Sequence, residues 1–315
     1  MRRVARGGRF QLLFAPAMVL IVIAALIAWI SPRSLHPLNL LQTLKSSSIY
    51  GIIALGQTCV VLTGGVDLST GPVAILTLLL TSDLSRGHNG PLIWIIPLLL
   101  MLGAGFGLLN GILITLGNVE PMVATLVTAS IVQGFYLIWT KGAPKGVIPP
   151  SLRLLGTGRI GGVFPAAIAF WLVLSLIFLC ILRKTRFGRC IYYVGSNPQS
   201  AYLSGINQNV VVLIVYMISG ICSVVAGFVL GGFIGIGTLQ LDPMDYSFTP
   251  LIITLLGGTD FVGAIGGIEG TMLGTVVMGF LLNLLTLFRV ATWAKYVLEG
   301  VLIVGILLLF RIQRR

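Results

Sequence analysis

The sequence predicts an all-α fold, a polytopic bundle of transmembrane helices, and three observations carry that prediction. The chain has 315 residues, of which 57% are hydrophobic and only 9% charged, and its mean hydropathy is +1.04, far above that of soluble domains. Its apolar stretches run for about the 20 residues that a helix needs to cross a bilayer. These are runs of Leu, Ile and Val without strand-like alternation. Only helices and closed barrels satisfy their backbone groups in lipid, so the pattern selects helices.

Taken in order, the runs give about ten helical segments, some short or broken. The first, 12–30, follows a basic leader with Arg2, Arg3, Arg6 and Arg9. That leader resembles a signal peptide, but the apolar stretch is too long and no small-x-small cleavage site follows. The expectation is an uncleaved first span with a cytoplasmic tail at 1–11. Polar, Gly and Pro punctuation then delimits 48–64, 71–84, 92–116, 121–140, 164–182, 209–232, 247–259, 270–289 and 295–310. Two of these, 71–84 and 247–259, are too short to cross alone. An even number places both termini on one side, and Arg311, Arg314 and Arg315 agree with a cytoplasmic C-terminus. The whole chain reads as one transmembrane domain.

The formal net charge of +12 reads as orientation bias rather than nucleic-acid contact. Cys59, Cys180, Cys190 and Cys222 have no metal-like spacing and read as small buried hydrophobes. His36 and His88 sit far apart in polar turns, so no catalytic or metal cluster is expected. No G-x-x-x-x-G-K-[ST] phosphate loop is present, and "KGAPKG" lacks both its spacing and its hydroxyl residue. The chain cannot use ATP alone. Nor does it carry the several mid-span carboxylates of a proton relay.

The strongest local signal is "TGGVDLSTGP" at 63–72, which interrupts an apolar run with Gly64, Gly65, Asp67, Ser69 and Gly71. A carboxylate near the membrane interior costs roughly 2.5–3.5 kcal/mol on insertion scales, so Asp67 should face protein, water or backbone N–H groups. Broken helices survive at membrane depth only where they line a cavity or are buried in protein. Asp67 and Ser69 can cap the helix starting near Thr70; Asp67 can also meet a passing solute, or serve a gate or interface. A later stretch, "LLGGTD" at 255–260, echoes "LTGGVD" at 62–67, as in a parallel repeat. It brings Gly257, Gly258, Asp260 and Glu269 into a second Gly-rich interruption.

Other polar residues within the spans are sparse: Gln57, Thr58, Asn110, Thr115, Thr125, Gln133 and Asn283. They suit interhelical hydrogen bonds, and Gln57, Asn110, Gln133 and Asn283 are candidates for lining a path for a neutral polar solute. Gly103, Gly105, Gly107 and Gly111 suit close helix packing. The inner loop, 183–208, opens on the cluster Arg183, Lys184, Arg186, Arg189 and holds a short helix signature. Asn197 is its N-cap, Pro198 its first residue and Gly205 its terminator, with Ala201 and Leu203 between. It suits a soluble partner's grip or an ordinary connecting loop. The outer loop, 141–163, carries Lys141, Lys145, Arg153 and Arg159 without an acidic residue and suits either an acidic extracytoplasmic surface or solvent alone.

Three stretches in sequence, "ALGQTCVVLTGGVDLSTGPV", "RKTRFGRCIYYVGSNPQSAYLSGI" and "LLGGTDFVGAIGGIEGTMLGT", resemble the signatures of membrane permease subunits of ribose-type ABC importers. The likeness runs from about residue 40 to 310. It implies a multi-pass protein of the cell inner (plasma) membrane, in contact with lipid, forming half of a path for a monosaccharide or similar small polar solute. Implied partners are an ABC ATPase subunit that uses the ATP, a periplasmic solute-binding protein, and a second permease copy or paralogue. No cofactor is expected on this chain, and it is not itself an enzyme. The helix near 198–205 then corresponds to the coupling element, and "GGVDLSTG" to the helix break beside the pathway. Glu269 in "GGIEGT" and the polar start of "LDPMDYSFTPLIITLLGG" depart from the usual pattern.

Overall fold

A computed structural model describes residues 4–313, with side chains over 16–305 apart from 32 and 292. Arg2, Arg3, Arg314 and Arg315, and the side chains of Arg6, Arg9 and Arg311, lie outside the described residues. Thirteen helices follow in order: α1 Val4–Ile30, α2 Pro37–Leu62, α3 Thr70–Ser85, α4 Leu92–Thr115, α5 Pro121–Thr140, α6 Pro150–Thr157, α7 Ala166–Lys184, α8 Arg186–Ser196, α9 Pro198–Leu203, α10 Gln208–Ile234, α11 Asp245–Leu256, α12 Ile268–Leu287 and α13 Thr292–Gln313. A 3-10 turn at Pro32–Leu35 precedes α2, and a two-stranded hairpin, β1 Arg159–Ile160 with β2 Phe164–Pro165, precedes α7.

Among the described residues, five helices, α4, α5, α7, α10 and α12, are long and apolar enough to cross a membrane. The all-α bundle expected from composition is therefore present, with corrections at its edges. The segment expected at 48–64 begins at Pro37, because the proline sets a helical φ at the first position and "NLLQTLKSSS" continues the turn despite its polarity. Residues 4–11, expected as a tail, are already helical. The outer loop contains α6 and the hairpin, and the inner loop holds α8 ahead of the expected α9. Sliding hydropathy misses such short amphipathic helices because half of each faces water.

α10 occupies the centre, packed against α4, α2, α3 and α6, while α2 is flanked by α12, α11 and α7. The α4–α10 contact is antiparallel and glycine-mediated. Gly103 meets Gly220, Gly107 meets the Tyr216 backbone and Gly111 meets Leu213, whereas Gly105 faces open space. Side chains at the first three would push the backbones apart, which in lipid removes the dispersion contacts that hold helices together. The cysteines divide: Cys59 and Cys222 are buried, but Cys180 is exposed on α7 and Cys190 partly so.

Helix directions follow from paired contacts. Thr43 and Thr58 of α2 meet Asn283 and Thr271 of α12, so these two are antiparallel. Tyr50 and Thr58 meet Asp245 and Thr254, so α2 and α11 are parallel. Asp245 and Thr249 meet Lys295 and Glu299, so α13 runs with α11. The bundle thus has one end carrying α8 and α9 and an opposite end carrying α6 and the hairpin. α3 and α11 stop short inside it, and the breaks that follow α2 and α11 define the site.

Candidate functional site

α2 ends at Leu62, Gly64 turns the chain at φ +83°, and Gly65–Leu68 adopt no regular structure before α3 starts at Thr70. Such backbone deep in a bundle has no water to bond, and each unpaired group costs several kcal/mol. Side chains from α10, α2 and α11 pair it instead, and one from α4 holds the Ser69 hydroxyl. Tyr216 of α10 donates its hydroxyl to the Val66 carbonyl at 3.2 Å. With its amide turned so that the nitrogen faces the carbonyl, the orientation that satisfies both groups, Gln57 of α2 spans Asp67, donating to the Asp67 carbonyl at 3.1 Å and accepting from the Asp67 N–H at 3.3 Å. Ser247 of α11 donates to the Leu68 carbonyl at 2.7 Å and accepts from the Gly71 N–H at 3.1 Å. Asn110 of α4 donates to Ser69 Oγ at 2.9 Å.

Asp67 closes the arrangement. Its Oδ1 accepts from the Ser69 N–H at 3.0 Å and Ser69 Oγ at 2.6 Å, and its Oδ2 from Ser219 Oγ of α10 at 2.7 Å. The carboxylate also sits at the positive end of the α3 dipole. Ser69, expected to share the capping, makes no cap with its own hydroxyl; it is spent on Asp67, and Ser247 serves the first turn of α3 from another helix. Gln57, Asp67, Asn110, Ser219 and Ser247 are all fully buried, so in this conformation they face the broken segment. A Cβ on Gly71 would overlap the Pro243 carbonyl, which ties the break to the α10–α11 connection. Of the other path candidates, Gln133 is partly exposed on α5, outside this network, and Asn283 donates to Thr43 at 3.1 Å between α12 and α2.

The second interruption repeats the device with a one-residue slip. The left-handed residue is Gly258, φ +80°, the equivalent of Gly64 in distance from its helix end, while Gly257 holds the place of Thr63. Asp260 Oδ1 accepts from the Val262 N–H at 3.2 Å, the i+2 turn that Asp67 makes with Ser69. Here the backbone is paired by backbone and by α8. The Ala264 N–H reaches the Leu62 carbonyl at 2.9 Å, and Tyr192 of α8 donates to the Gly266 carbonyl at 3.1 Å. Gly195 near the end of α8 packs between both breaks: a Cβ there would overlap the Leu62 carbonyl and lie 2.8 Å from the Ala264 nitrogen.

Glu269, in the first turn of α12, pairs with Arg183 at the end of α7, both partly exposed beside a cavity of about 350 Å³. Exposed pairs of this kind contribute about 0–1 kcal/mol and are screened by salt. Glu269→Gln is therefore expected to lower the melting temperature slightly at low ionic strength and not at high, measured by thermal unfolding in detergent.

α9 matches its signature. Asn197 Oδ1 accepts from the Ser200 N–H at 2.9 Å, Pro198 opens the helix and Gly205 follows it at φ +77°. Within it, Ala201 is buried at 3% exposure while Tyr202 and Leu203 stand out at 72% and 82%. Ala201 thus anchors the helix and Tyr202, absent from the sequence expectation, belongs to its outward face.

One polar cluster escaped sequence reading. Near the hairpin end, Asp245 of α11 accepts from Tyr50 at 2.9 Å and pairs with Lys295 of α13, and buried Glu299 accepts from Thr249 at 3.3 Å. Its signal was the i,i+4 spacing of Lys295 and Glu299 at the head of an apolar run.

Comparison with known proteins adds to this geometry. Residues 39–307 match the family described as branched-chain amino acid transport system / permease component. The chain belongs to this permease family. It is 33% identical to the ribose import permease protein RbsC of Bacillus subtilis over 98% of this chain and 96% of that one. Against RbsC of Haemophilus influenzae the identity is 30%, over 94% and 92% of the two chains. Against the galactose/methyl galactoside import permease protein MglC of Escherichia coli it is 30%, over 91% and 90%. No solved structure matches it. The permease is thus a multi-pass membrane protein whose two helix interruptions lie inside the matched region.

Proposed function

We propose that this chain is the transmembrane subunit of an ATP-driven importer and forms half of the translocation path for a monosaccharide. The observation that carries the reading is the near full-length likeness to permeases named for ribose and for galactose, which favours a sugar over the amino acids in the family's description. A second copy or a paralogue supplies the other half. A separate ATPase sits at the α8–α9 end, on the cytoplasmic side, and a periplasmic binding protein delivers the solute at the hairpin end. ATP is used by the partner, and its binding and release shift the permease between two states.

In this reading, Tyr202 and Leu203 are what the ATPase grips, since both are exposed on a capped, rigid turn. Tyr202→Asp with Leu203→Asp is expected to abolish ATPase co-purification and uptake while membrane insertion stays normal. Undiminished ATPase association in the double variant contradicts this placement.

A further inference from the structure

The amides that look like a path in the sequence give a solute little surface in this conformation: Gln57 and Asn110 are fully buried around the first helix break, and Asn283 is held between α12 and α2. A different segment enters the bundle from the hairpin end. After α10 the chain leaves helical structure at Gly235. Ile236 bridges to Val147, and a Cβ on Gly237 would overlap the Ser82 hydroxyl in the last turn of α3. At the other end of the segment the Pro243 carbonyl lies against Gly71, in the first turn of α3. The stretch of α3 between those contacts rises about 16 Å, within the roughly 20 Å that a chain from Gly237 to Pro243 can reach. The residues that follow sit at half depth: Asp245 accepts from Tyr50, halfway along α2, and the Tyr246 ring stacks 5.1 Å from that of Tyr50.

Non-helical backbone at such depth persists only where protein buries it or where it lines a water-filled cavity. Among the described residues, the backbone of 238–241 makes one hydrogen bond, from the Gln240 N–H to Thr238 Oγ1 at 3.1 Å. Gln240 and Asp242 are exposed, and the Gln240 side-chain amide has no partner among the described residues. Asp242 accepts from the Met244 N–H at 2.9 Å and from the Tyr296 hydroxyl of α13 at 2.5 Å. A carboxylate has about four acceptor positions, so part of its capacity is open. In lipid an ionised carboxylate at this depth costs roughly 2.5–3.5 kcal/mol. The exposed side of the segment therefore meets water.

We propose, resting on the transport role set out above, that residues 238–242 line the water-filled path, where the Gln240 amide and the Asp242 carboxylate hydrogen-bond a polyhydroxylated solute. Hydroxyl groups donate to a carboxylate and both donate to and accept from an amide, whereas an anionic solute is repelled by Asp242. Tyr296, exposed beside Asp242, adds an aromatic ring for the solute's C–H groups.

The test uses Gln240→Cys in a chain carrying Cys180→Ala and Cys190→Ala, which leaves only the buried Cys59 and Cys222, reconstituted in vesicles with its ATPase and binding protein. A charged, membrane-impermeant thiosulfonate is expected to label this variant and block its uptake of labelled ribose, galactose or allose, and a thiol reductant to restore it. Ile131→Cys, exposed on the apolar surface of α5, is the lipid-facing control and should not label. Asp242→Asn keeps an oxygen for the Met244 N–H, and the Tyr296 hydroxyl can turn to accept from the amide, so the segment stays folded. Its uptake is expected to fall about tenfold, as loss of a hydrogen bond to a charged group implies, with ATPase association unchanged. A Gln240→Cys variant that labels no faster than Ile131→Cys overturns the proposal, as does labelling that leaves uptake intact or full uptake by Asp242→Asn. If the unmodified assembly takes up none of the three sugars, the transport role fails instead, and reagent access to Gln240→Cys still decides whether the segment lines water.

Discussion

Asp67→Leu is expected to abolish uptake and to destabilise the permease by about 3 kcal/mol or more, while Asp67→Asn keeps most of both. The carboxylate takes three hydrogen bonds in a fully buried position, and hydrogen bonds to a charged group contribute about 1.5–3 kcal/mol each. Leucine leaves the Ser69 N–H and the Ser219 hydroxyl without an acceptor and fills the space with a branched side chain. Asparagine keeps one oxygen for Ser69, and the Ser219 hydroxyl can turn to accept from the new amide. Melting temperature and uptake measured together separate the readings. Equal loss in both variants assigns the effect to the charge itself, and full activity in the leucine variant removes Asp67 from any essential role.

Gly195→Ala is expected to leave ATPase binding intact and reduce uptake by about tenfold or more. The added methyl group overlaps the Leu62 carbonyl and crowds the Ala264 nitrogen, so α8 must back away from both helix breaks together. Overpacking of this kind costs about 1–3 kcal/mol, and 1.4 kcal/mol is already tenfold in an equilibrium. Because α8 leads directly into α9 through Asn197, this contact connects the proposed ATPase face to both interruptions. Ser196→Ala, at an exposed neighbour, is the control and should behave like the unmodified chain. Loss of ATPase co-purification in Gly195→Ala would instead make the contact part of docking.

The helical class and most segments could be read from composition because lipid imposes one rule on every span, twenty or so apolar residues with their backbone satisfied internally. The start of α3 near Thr70 was legible from the Gly-rich break before it, although Ser247 of α11 and not a local cap serves its first turn; the capped helix at Asn197–Gly205 was legible because its cap and glycine stop are local chemistry. What completes the site was not. Tyr216, Ser219 and Ser247 are ordinary residues in apolar helices, and only the fold brings them to Val66, Asp67 and Leu68 from 150 or more positions away. The echo between "LTGGVD" and "LLGGTD" was visible, yet its glycines correspond with a slip of one residue, because helix ends rather than letters set the equivalence. Ala201 and Leu203 look alike in sequence, and their opposite burial follows from the direction in which α9 faces the bundle.

Reconstitution into sealed vesicles tests the proposed transport function most directly. This chain alone, and this chain with an ATPase and a sugar-binding protein, are compared for uptake of labelled ribose, galactose and allose, with or without ATP and with or without an ion gradient. Uptake is expected only when the ATPase, the binding protein and ATP are all present, and to be insensitive to collapse of the gradient. Sugar accumulation by this chain alone, driven by a proton or sodium gradient, would contradict the assignment of the permease as a passive half-path moved by a partner.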